Sequence, residues 1–484
     1  MNYKMIGKFI GKILMVEAIF MVPAYAISLY CHEEASMHAL LITAAITMLA
    51  GGLLMAMTRG THGGFHAKEG LVCVAVSWIV LALFGALPFF LSGSIPNYVD
   101  ALFEIVSGFT TTGASILSDV EAMPYGLIYW RSFSHWLGGM GVLVFLLAVS
   151  SGDERSKGFT MHILRAESPG PQPGKLVPRM KQTAEILYMI YIILTIVNVV
   201  FLLAGGMSVF DSVCTAFGTA GTGGFGIKND SLAGYSPYLQ TVCTVFMLLF
   251  GVNFTCYYML LIGQWKSVFK DEELRLYLGI VVVTTALIAL NLQGYYETMG
   301  ERIHHAAFQV ASIITTTGYS STDFDLWPSF SKAILQCLML IGACAGSTCG
   351  GFKCGRALLV FKGLRRSVRQ IVHPGRVEVV RVNGRVIDEK VLANTNAFLA
   401  AYVLIIVFSF AFISKDGFST TTNLTAVLSC FNNIGPGFDH VGPMGNFGDY
   451  SMLSKLVLIA DMLAGRLEIF PILILFSRST WGKR

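Results

Sequence analysis

Short stretches rich in threonine and glycine, set inside an otherwise apolar chain, are the residues whose chemistry is easiest to interpret. The clearest is Ser107–Ser115, which reads Ser-Gly-Phe-Thr-Thr-Thr-Gly-Ala-Ser. Because glycine adopts backbone conformations that other residues avoid, such a stretch can turn its carbonyl oxygens toward a common axis. A ring of carbonyl oxygens replaces the water shell of a dehydrated cation. The stretch therefore predicts a cation site made of backbone atoms.

The stretch is present four times when the chain is aligned on four glycines. Three columns match: an apolar residue eight positions before the glycine, a serine or threonine six before, and a phenylalanine or isoleucine four before. Matched columns of this kind indicate an internal repeat, whereas a single copy would fit an ordinary turn. The glycines are Gly113, Gly221, Gly318 and Gly435, and the columns are Ile105, Val213, Val310 and Val427; Ser107, Thr215, Ser312 and Ser429; and Phe109, Phe217, Ile314 and Phe431.

The residues that end at each glycine are the predicted ion-binding set. Their carbonyl oxygens would face the ion, and the hydroxyls of Thr110 and Thr315 would line the inner end of the path. The second copy contains several glycines, so its alignment at Gly223 or Gly224 remains open. The set is Thr111, Thr112 and Gly113; Thr219, Ala220 and Gly221; Thr316, Thr317 and Gly318; and Asn433, Ile434 and Gly435, of which the eight residues other than glycine are expected to coordinate the ion.

The composition places the chain in a membrane. Of its 484 residues, 54% are hydrophobic and 13% are charged, whereas soluble domains carry about 25% charged residues. The net charge of +5 comes from loops that the positive-inside rule assigns to the cytoplasm, so it does not call for a nucleic-acid partner. The sequence contains no G-x-x-x-x-G-K-[ST] motif, and we expect neither an enzyme nor a covalent cofactor.

The elements that position the four stretches are repeated with them. Each unit has a long apolar span, a segment of about three turns that ends at the glycine, and a second span. So short a segment cannot cross a bilayer, which needs about 20 residues, and it must be re-entrant. The fold class is therefore an all-α polytopic membrane protein with four tandem span–pore-loop–span repeats after two extra transmembrane helices. The predicted divisions are 1–65 for the leading helices, 66–165 for repeat 1, 166–268 for repeat 2, 269–390 for repeat 3 with a broken second helix and a basic cytoplasmic loop, and 391–484 for repeat 4.

The loop charges predict how the chain is oriented. Ten full spans would place both termini on one side of the membrane. The loops on that side are basic, especially 151–183 and 362–390, and the opposite loops are richer in acids. The basic side is therefore predicted to be cytoplasmic, with the pore segments entering from outside. Acidic outer loops would also raise the local concentration of cations at the mouth.

Two features interrupt the spans of the third and fourth units. The stretch Gly342–Lys353 is too rich in glycine for a continuous helix, so it must face a cavity, as a flexible gate would, or pack closely between helices. Arg466 lies midway along the last span, where an arginine faces an aqueous path or a partner such as Asp461, Glu468 or nearby carbonyl groups. The predicted gate consists of Gly346, Ser347, Thr348, Gly350, Gly351, Lys353 and Arg466.

In these motifs the chain resembles the TrkH family of bacterial potassium uptake proteins, within a larger group that also holds KtrB and plant HKT transporters. The resemblance covers essentially the whole chain, including the two leading spans that are typical of TrkH rather than KtrB. The residues that carry it are Ser107–Gly113, Ile314–Gly318, Asn432–Gly437 and Gly465–Glu468.

The resemblance implies one pseudo-four-fold pore in each subunit, a homodimer, and a place in the lipid of the bacterial cytoplasmic membrane. Glycine at the filter positions implies K⁺ as the substrate, because some Na⁺-transporting plant relatives have serine where this chain has Gly113. The broken third-unit helix implies an intramembrane gate beside Arg466. A cytosolic ring of nucleotide-binding TrkA subunits regulates family members, so nucleotide is expected only on that partner, with 151–183 and 362–390 as candidate docking loops.

The resulting hypothesis is K⁺ uptake through a channel-like filter, driven by the membrane potential. One alternative is a transporter of the same fold that prefers Na⁺ or carries both ions. Another is a symporter coupled to H⁺ or Na⁺, for which Glu17 and Asp461 are the candidate residues of a second ion site. A third is a structural subunit of an ion-pumping complex, which would show no flux of its own.

Overall fold

The first third of the chain forms the leading helices and the first repeat. The computed structural model describes residues 1–60, 67–141, 180–375 and 377–481. Helices α1 to α3 lead the chain, and α4 to α7 belong to repeat 1. Their bounds are α1 Tyr3–Phe20, α2 Val22–Tyr30, α3 Glu34–Met57, α4 Ala67–Gly85, α5 Leu87–Leu91, α6 Tyr98–Phe109 and α7 Tyr125–Gly139.

The other three repeats follow the same plan with different interruptions. Repeat 2 contains α8 Met180–Ala204, α9 Val209–Gly221, α10 Pro237–Phe250, α11 Phe254–Leu261 and α12 Trp265–Phe269. Repeat 3 contains α13 Glu272–Asn291, α14 Met299–Ile314, α15 Ser329–Met339, α16 Cys354–Val372 and the strands β1 Arg381–Val382 and β2 Arg385–Val386. Repeat 4 contains α17 Glu389–Ile413, α18 Thr420–Asn432, α19 Met452–Arg466, α20 Phe470–Phe476 and α21 Arg478–Trp481.

Apolar helices of membrane-crossing length confirm the all-α polytopic fold. In the described part of the chain, six helical segments are long and apolar enough to cross a membrane, and a bent pair makes a possible seventh. The six are Tyr3–Tyr30, Glu34–Met57, Lys68–Leu91, Gln182–Ala204, Glu272–Asn291 and Glu389–Asp416. They are the two leading spans and the first span of each repeat.

The second span of a repeat is interrupted more often than the sequence predicted. We expected a break only in repeat 3, where residues 340–353 do separate α15 from α16. In repeat 2 the second span is not one continuous helix, because α10 and α11 meet at an angle of 88°. In repeat 4 the last span stops at Glu468 and Ile469, whose φ angles are 61° and 65°. Left-handed backbone at two successive residues cannot continue an α-helix. In repeat 1, the part of the predicted second span beyond residue 141 lies outside the described residues.

Four short helices precede the glycine-rich loops, as predicted. They are α6, α9, α14 and α18, of 12, 13, 16 and 13 residues. At about 1.5 Å per residue each is roughly 18–24 Å long, less than the hydrocarbon thickness of a bilayer. Each starts at a residue whose side chain accepts a backbone N–H of the first turn, which satisfies donors that the helix cannot. These residues are Asn97, Ser208, Thr298 and Ser419.

The predicted basic loop 362–390 contains a helix and a hairpin. Most of its first part continues α16, and a two-stranded hairpin follows, pairing Arg381 with Val386. The Lys362 ammonium binds the Glu272 carboxylate and donates to the Arg381 carbonyl oxygen at 2.7 Å, which ties the hairpin to α13. Most of the other basic loop, residues 151–179, lies outside the described residues.

The leading helices α1 and α3 pack through small residues. A Cβ atom added to Gly51 would lie 2.8 Å from the Gly11 carbonyl oxygen, and one added to Gly11 would lie 2.9 Å from that of Gly51. Close approach of this kind, through glycine, is a common way for helices to associate in lipid. The neighbouring Gly52 has no atom within 4 Å of its added Cβ, so it faces outward.

We expect Gly51→Val to lower the apparent melting temperature of the detergent-solubilised protein, because overpacking costs about 1–3 kcal/mol. Gly52→Val is the matched control: it makes the same change in helix propensity one residue away, in open space. Equal melting temperatures for the two variants would contradict the proposed packing role of Gly51.

Candidate functional site

All four loops leave their helices through the same pair of left-handed residues. In each loop a residue with φ near 55° is followed, two positions later, by a glycine with positive φ. The pairs are Thr111 and Gly113 (54° and 80°), Thr222 and Gly224 (55° and 69°), Thr316 and Gly318 (54° and 86°), and Asn433 and Gly435 (56° and 104°). The glycine of the second loop is therefore Gly224.

Backbone hydrogen bonds give the same alignment. In every loop the residue just before the glycine donates its N–H to a carbonyl oxygen of the helix. The residue that carries this carbonyl lies six positions before the glycine, and the bond closes the helix end in the manner of a Schellman motif. The bonds are Thr112 to Ser107 at 2.8 Å, and Gly223 to Gly218, Thr317 to Ser312 and Ile434 to Ser429, each at 2.9 Å.

The predicted alignment of the second copy on Gly221 is wrong by three residues. Gly221 is the last residue of α9, and Thr219 and Ala220 are helical. The matches at Val213, Thr215 and Phe217 were therefore coincidental. Equivalence depends on which residues adopt left-handed backbone, and three glycines within four residues left the sequence with no means to choose. The structurally equivalent residues are Ala216, Gly218 and Ala220 for the three columns, and Thr222 and Gly223 for the two before Gly224.

The four loops close into a ring. A Cβ atom on any of the four glycines would strike the carbonyl oxygen of the residue that precedes the glycine in another loop. Taken in order, these contacts run once around the four repeats and return to the first. They are Gly113 with Gly223, Gly224 with Thr317, Gly318 with Ile434, and Gly435 with Thr112, the last at 2.9 Å.

An open cavity of about 330 Å³ lies over the ring and has all four glycines in its lining. Its wall also includes Arg131, Lys228 and Asp230. The loops that follow the glycines form most of the remaining wall, so the ring lies at the floor of a vestibule. Such an arrangement gathers four backbone carbonyl oxygens at the ring and leaves no room at its glycines for a side chain.

Hydrogen bonds favour the ionised form of two acidic side chains in the loops that follow the ring glycines. The hydroxyls of Ser419 and Thr422 donate to Asp439 at 2.6 and 2.7 Å and lower the pKa of that carboxyl group. The Asn229 side chain donates to Asp119 at 2.9 Å and lowers the pKa of this group as well. Burial has the opposite effect on Asp325, whose pKa is raised. Asp119 and Asp439 are therefore negative at neutral pH.

The hydroxyls of Thr110 and Thr315, predicted to line the inner end of the path, are hydrogen-bonded within their own helices and loops. Each donates to the carbonyl four residues earlier in its own helix, at 2.6 Å. Each also contacts the threonine hydroxyl two residues later, at 2.8 Å in the first loop and 2.7 Å in the third. These hydroxyls brace the loops, because their hydrogen bonds are satisfied within the protein.

The predicted gate residues other than Arg466 lie in one irregular segment that contacts the ring. The Gly350 N–H donates to the Thr316 hydroxyl at 2.8 Å, which joins the segment to the third loop. A Cβ on Gly350 would lie 2.6 Å from the Asn432 carbonyl oxygen, so the fourth loop is also in contact. The Glu273 carboxylate, which the sequence reading missed, accepts the N–H groups of Ala345 at 2.6 Å and Gly355 at 2.8 Å. The segment is thus held at both ends and touches two loops. Its members are Gly346, Ser347, Thr348, Gly350, Gly351 and Lys353.

Arg466 binds carbonyl groups of two separate segments. Its guanidinium donates to the Thr348 oxygen at 2.7 Å, to the Gly139 oxygen at 2.7 Å, and to the Gly138 oxygen. It therefore joins the irregular segment of repeat 3 to the end of α7 in repeat 1. Of the partners considered from the sequence, the nearby carbonyl groups are those it contacts.

The two acids considered as partners for Arg466 are engaged with other groups. The Asp461 carboxylate accepts the Ser409 hydroxyl at 2.8 Å, and Glu468 binds Arg356. Lys353 is 1% exposed, and its ammonium donates to the Cys349 carbonyl oxygen. The positive charges of this region are therefore directed at carbonyl oxygens as well as at carboxylates.

A buried ion pair beside the first loop was not predicted. Arg131 and Glu104 are 2% and 0% exposed, and their atoms Nε and Oε1 are 2.6 Å apart. Glu104 also accepts the Ser115 hydroxyl at 2.9 Å and the Ile116 N–H at 2.9 Å. The Arg131 guanidinium stacks 3.5 Å above the centre of the Phe225 ring. An arginine in the second span of repeat 1 is the same signal that drew attention to Arg466, and it could have identified this pair.

Comparisons with known proteins agree over the full length of the chain. The model of the TrkH family, described as cation transport protein, matches residues 36–482. The chain is 34% identical over 489 residues to the Trk system potassium uptake protein TrkH of Salmonella typhimurium, covering 99% of this chain and 100% of that protein. It is 33% identical to the TrkH of Halomonas elongata, with both chains fully covered. The crystal structure of the potassium transporter TrkH from Vibrio parahaemolyticus is similar with a TM-score of 0.89 and 30% identity, again over 100% of both chains.

Alignment of the second loop on Gly224 can be tested by stability. Gly224→Ala should lower the apparent melting temperature more than Gly206→Ala does. Both positions have positive φ, 69° and 83°, so both variants pay for left-handed backbone at alanine, about 1–2 kcal/mol. Only at Gly224 does the new methyl group meet another loop, because nothing lies within 4 Å of a Cβ on Gly206. Equal losses would contradict the closed ring.

Proposed function

Because the chain belongs to the TrkH family of cation transport proteins, we propose that its four-loop ring is a selectivity filter that conducts K⁺ into the bacterial cell. The chain is a multi-pass membrane protein, and its family is one of transporters rather than enzymes. The observation that carries the proposal is the closed ring of four glycines and four preceding carbonyls at the floor of an open vestibule.

The filter acts by exchanging water for backbone oxygen. Carbonyl groups of the residues around Thr112, Gly223, Thr317 and Ile434 would replace the hydration shell of the ion. The ionised Asp119 and Asp439 would raise the cation concentration near the entrance. A negative interior supplies about 2.3 kcal/mol per charge per 100 mV, which is sufficient for uptake without a pump.

The irregular segment and Arg466 serve as the gate in this proposal. Its support is the contact of Gly350 with two filter loops and the Arg466 contacts that hold Thr348 against the end of α7. A segment held by hydrogen bonds at a few points can move when they break, whereas a continuous helix would have to unwind. Opening would therefore require that Arg466 release at least one of its carbonyl partners.

Regulation by a partner is the further part of the proposal. A homodimer with a cytosolic TrkA-like ring would place nucleotide on the partner, with α16 and the hairpin Arg381–Val386 at the docking surface. The basic side chains of α16 and the hairpin's direct link to α13 support this assignment, because α13 also holds the gate segment through Glu273. Movement of the hairpin would then reach the gate through one helix.

Coupled transport is the second candidate function, and one observation favours it. Glu17 is 1% exposed, and neither of its carboxylate oxygens has a hydrogen-bond partner among the described residues. A carboxyl group buried at this depth without a partner favours a bound proton or cation. Reversal potentials that shift with pH, and lose that shift in Glu17→Gln, would support coupling; potentials that follow K⁺ alone would exclude it.

Ion selectivity is tested with purified protein in liposomes. Wild-type protein should carry K⁺ and Rb⁺ well above Na⁺, and Gly113→Ser and Gly224→Ser should each reduce that preference, because a side chain displaces a neighbouring carbonyl group. Gly206→Ser is the matched control, since it places serine at positive φ in open space. Equal Na⁺ and K⁺ flux in wild type would assign the protein to mixed or Na⁺ transport.

The gating role is tested by removing the Arg466 guanidinium group. Arg466→Ala, or a deletion within Gly346–Gly351, should raise K⁺ flux several-fold in liposomes without a regulatory partner, because the segment loses its hold on α7. Arg302→Ala is the matched control, since Arg302 also donates to a backbone carbonyl, that of Tyr296 at 3.2 Å, away from the segment. Unchanged flux in well-folded Arg466→Ala protein would refute the gating role.

A further inference from the structure

His135 is a buried side chain that touches the ring without belonging to any loop. It lies in α7 of repeat 1, is 0% exposed, and packs with its ring centre 4.1 Å from that of Phe225, directly after the second filter glycine. Its Nδ1 atom is 2.8 Å from the Gly108 carbonyl oxygen, and the Phe225 N–H donates to its Nε2 atom at 3.3 Å. The His135 imidazole therefore connects the pore helix of repeat 1 to the filter loop of repeat 2.

The two partners determine the form of the imidazole. A carbonyl oxygen only accepts a hydrogen bond, so Nδ1 must carry the proton that points at Gly108. A backbone N–H only donates, so Nε2 must present its lone pair to Phe225. Only the neutral tautomer with hydrogen on Nδ1 satisfies both contacts, and neither nitrogen is left for another partner. The imidazole therefore holds the Gly108 carbonyl group and the Phe225 N–H group at a fixed separation.

The His135 imidazole also occupies the space that, in the other loops, is filled by a side chain of the loop itself. The residue just before the glycine is threonine or isoleucine in loops one, three and four, but it is Gly223 in loop two. A Cβ on Gly223 would fall among the atoms of the His135 ring, 2.6 Å from its Cε1. The imidazole of a neighbouring repeat thus takes the place of the missing side chain. The residues that hold this position in the other loops are Thr112, Thr317 and Ile434.

The second loop also lacks an internal brace that the others have. In loop one, Glu104 of the pore helix accepts the Ser115 hydroxyl and the Ile116 N–H. In loops three and four, the serine six residues before the glycine donates to a loop carbonyl: Ser312 to Tyr319 at 2.6 Å, and Ser429 to Gly435. The residue at that position in loop two is Gly218, which has no side chain to donate. Loop two is held from outside: Arg131 donates to the Gly226 carbonyl oxygen at 3.0 Å and stacks on the Phe225 ring, and His135 accepts the Phe225 N–H.

We infer that His135 is a positioning residue for ion selection: it sets the position of the second loop's carbonyl oxygens in the ring through its hydrogen bond to Phe225. The inference rests on the proposed function and deepens it. The Gly223 oxygen is the ring atom that a side chain on Gly113 would strike, so a displaced second loop enlarges the ring on one side. In an enlarged ring an ion keeps part of its water shell, so the exchange of water for carbonyl oxygen discriminates less between K⁺ and Na⁺.

Two substitutions separate the two hydrogen bonds. His135→Asn places an amide N–H near the position of Nδ1, so it can keep the bond to Gly108 but does not reach Phe225. His135→Gln reaches the position of Nε2 and can offer its carbonyl oxygen to the Phe225 N–H. We expect the K⁺/Na⁺ permeability ratio to fall about fivefold to tenfold in His135→Asn, the size expected for one lost buried hydrogen bond. In His135→Gln it should stay within about twofold of wild type by the same reasoning.

The experiment is the reversal potential of purified full-length protein in liposomes under opposed K⁺ and Na⁺ gradients. The melting temperature of each variant in K⁺ and in Na⁺ is the second readout, with a K⁺-specific rise expected in wild type and His135→Gln and lost in His135→Asn. His38→Asn is the control, since the exposed His38 also has Nδ1 at 2.8 Å from a backbone carbonyl, that of Glu34, far from the ring. It should behave as wild type.

The outcomes distinguish a failure of the proposed K⁺ selectivity from a failure of the positioning role of His135. If wild type itself does not prefer K⁺, the proposed selectivity fails, whatever His135 does. If wild type prefers K⁺ and His135→Asn does so equally, the positioning inference is overturned. The double variant His135→Ala with Gly223→Thr refills the space without restoring the bond. Selectivity that returns fully in this variant would show that His135 only fills space; stability that returns without selectivity supports the brace.

Discussion

Four short helices must present the ends of their backbones to one axis, and the rest of the protein depends on that constraint. Each loop leaves its helix through two left-handed residues, and each of the four ring glycines lies where a side chain would collide with the carbonyl oxygen of another loop. Glycine at Gly113, Gly224, Gly318 and Gly435 is therefore a steric requirement of ring closure. Because the loops are in close contact, a side chain added at one loop would displace a carbonyl oxygen of the neighbouring loop.

The membrane adds a second requirement, that polar backbone groups away from water find partners. The second spans are interrupted in the described parts of repeats 2, 3 and 4, and side chains from other segments meet the exposed backbone. Arg466 binds carbonyl groups at the end of α7 and in the irregular segment of repeat 3, and Glu273 binds two N–H groups of the same region. The side chains that satisfy the broken helices are thus the ones that join the repeats. Structural need and the proposed gating use the same contacts.

The loops of repeats 1, 3 and 4 could be aligned from the sequence because their polar ends follow one local pattern. The second loop could not be aligned, because Gly221, Gly223 and Gly224 are all compatible with left-handed backbone and only packing against another loop selects among them. The breaks after α10 and α19 were missed, since Gly251 and Glu468 are single residues of types that also occur within continuous spans. Arg131 was missed although it carries the same signal as Arg466, an arginine within an apolar span.

The sequence by itself determined the membrane class, the leading helices, the short pore helices and the irregular third-repeat segment. Each of these depends on composition or on residues a few positions apart. Only the tertiary structure decided the ring order, the partners of Arg466 and the place of His135. Thr348 and Arg466 are 118 positions apart, and His135 and Phe225 are 90. Contacts at such separations depend on how the repeats are arranged around the axis, and the local preferences of the chain carry no information about that arrangement.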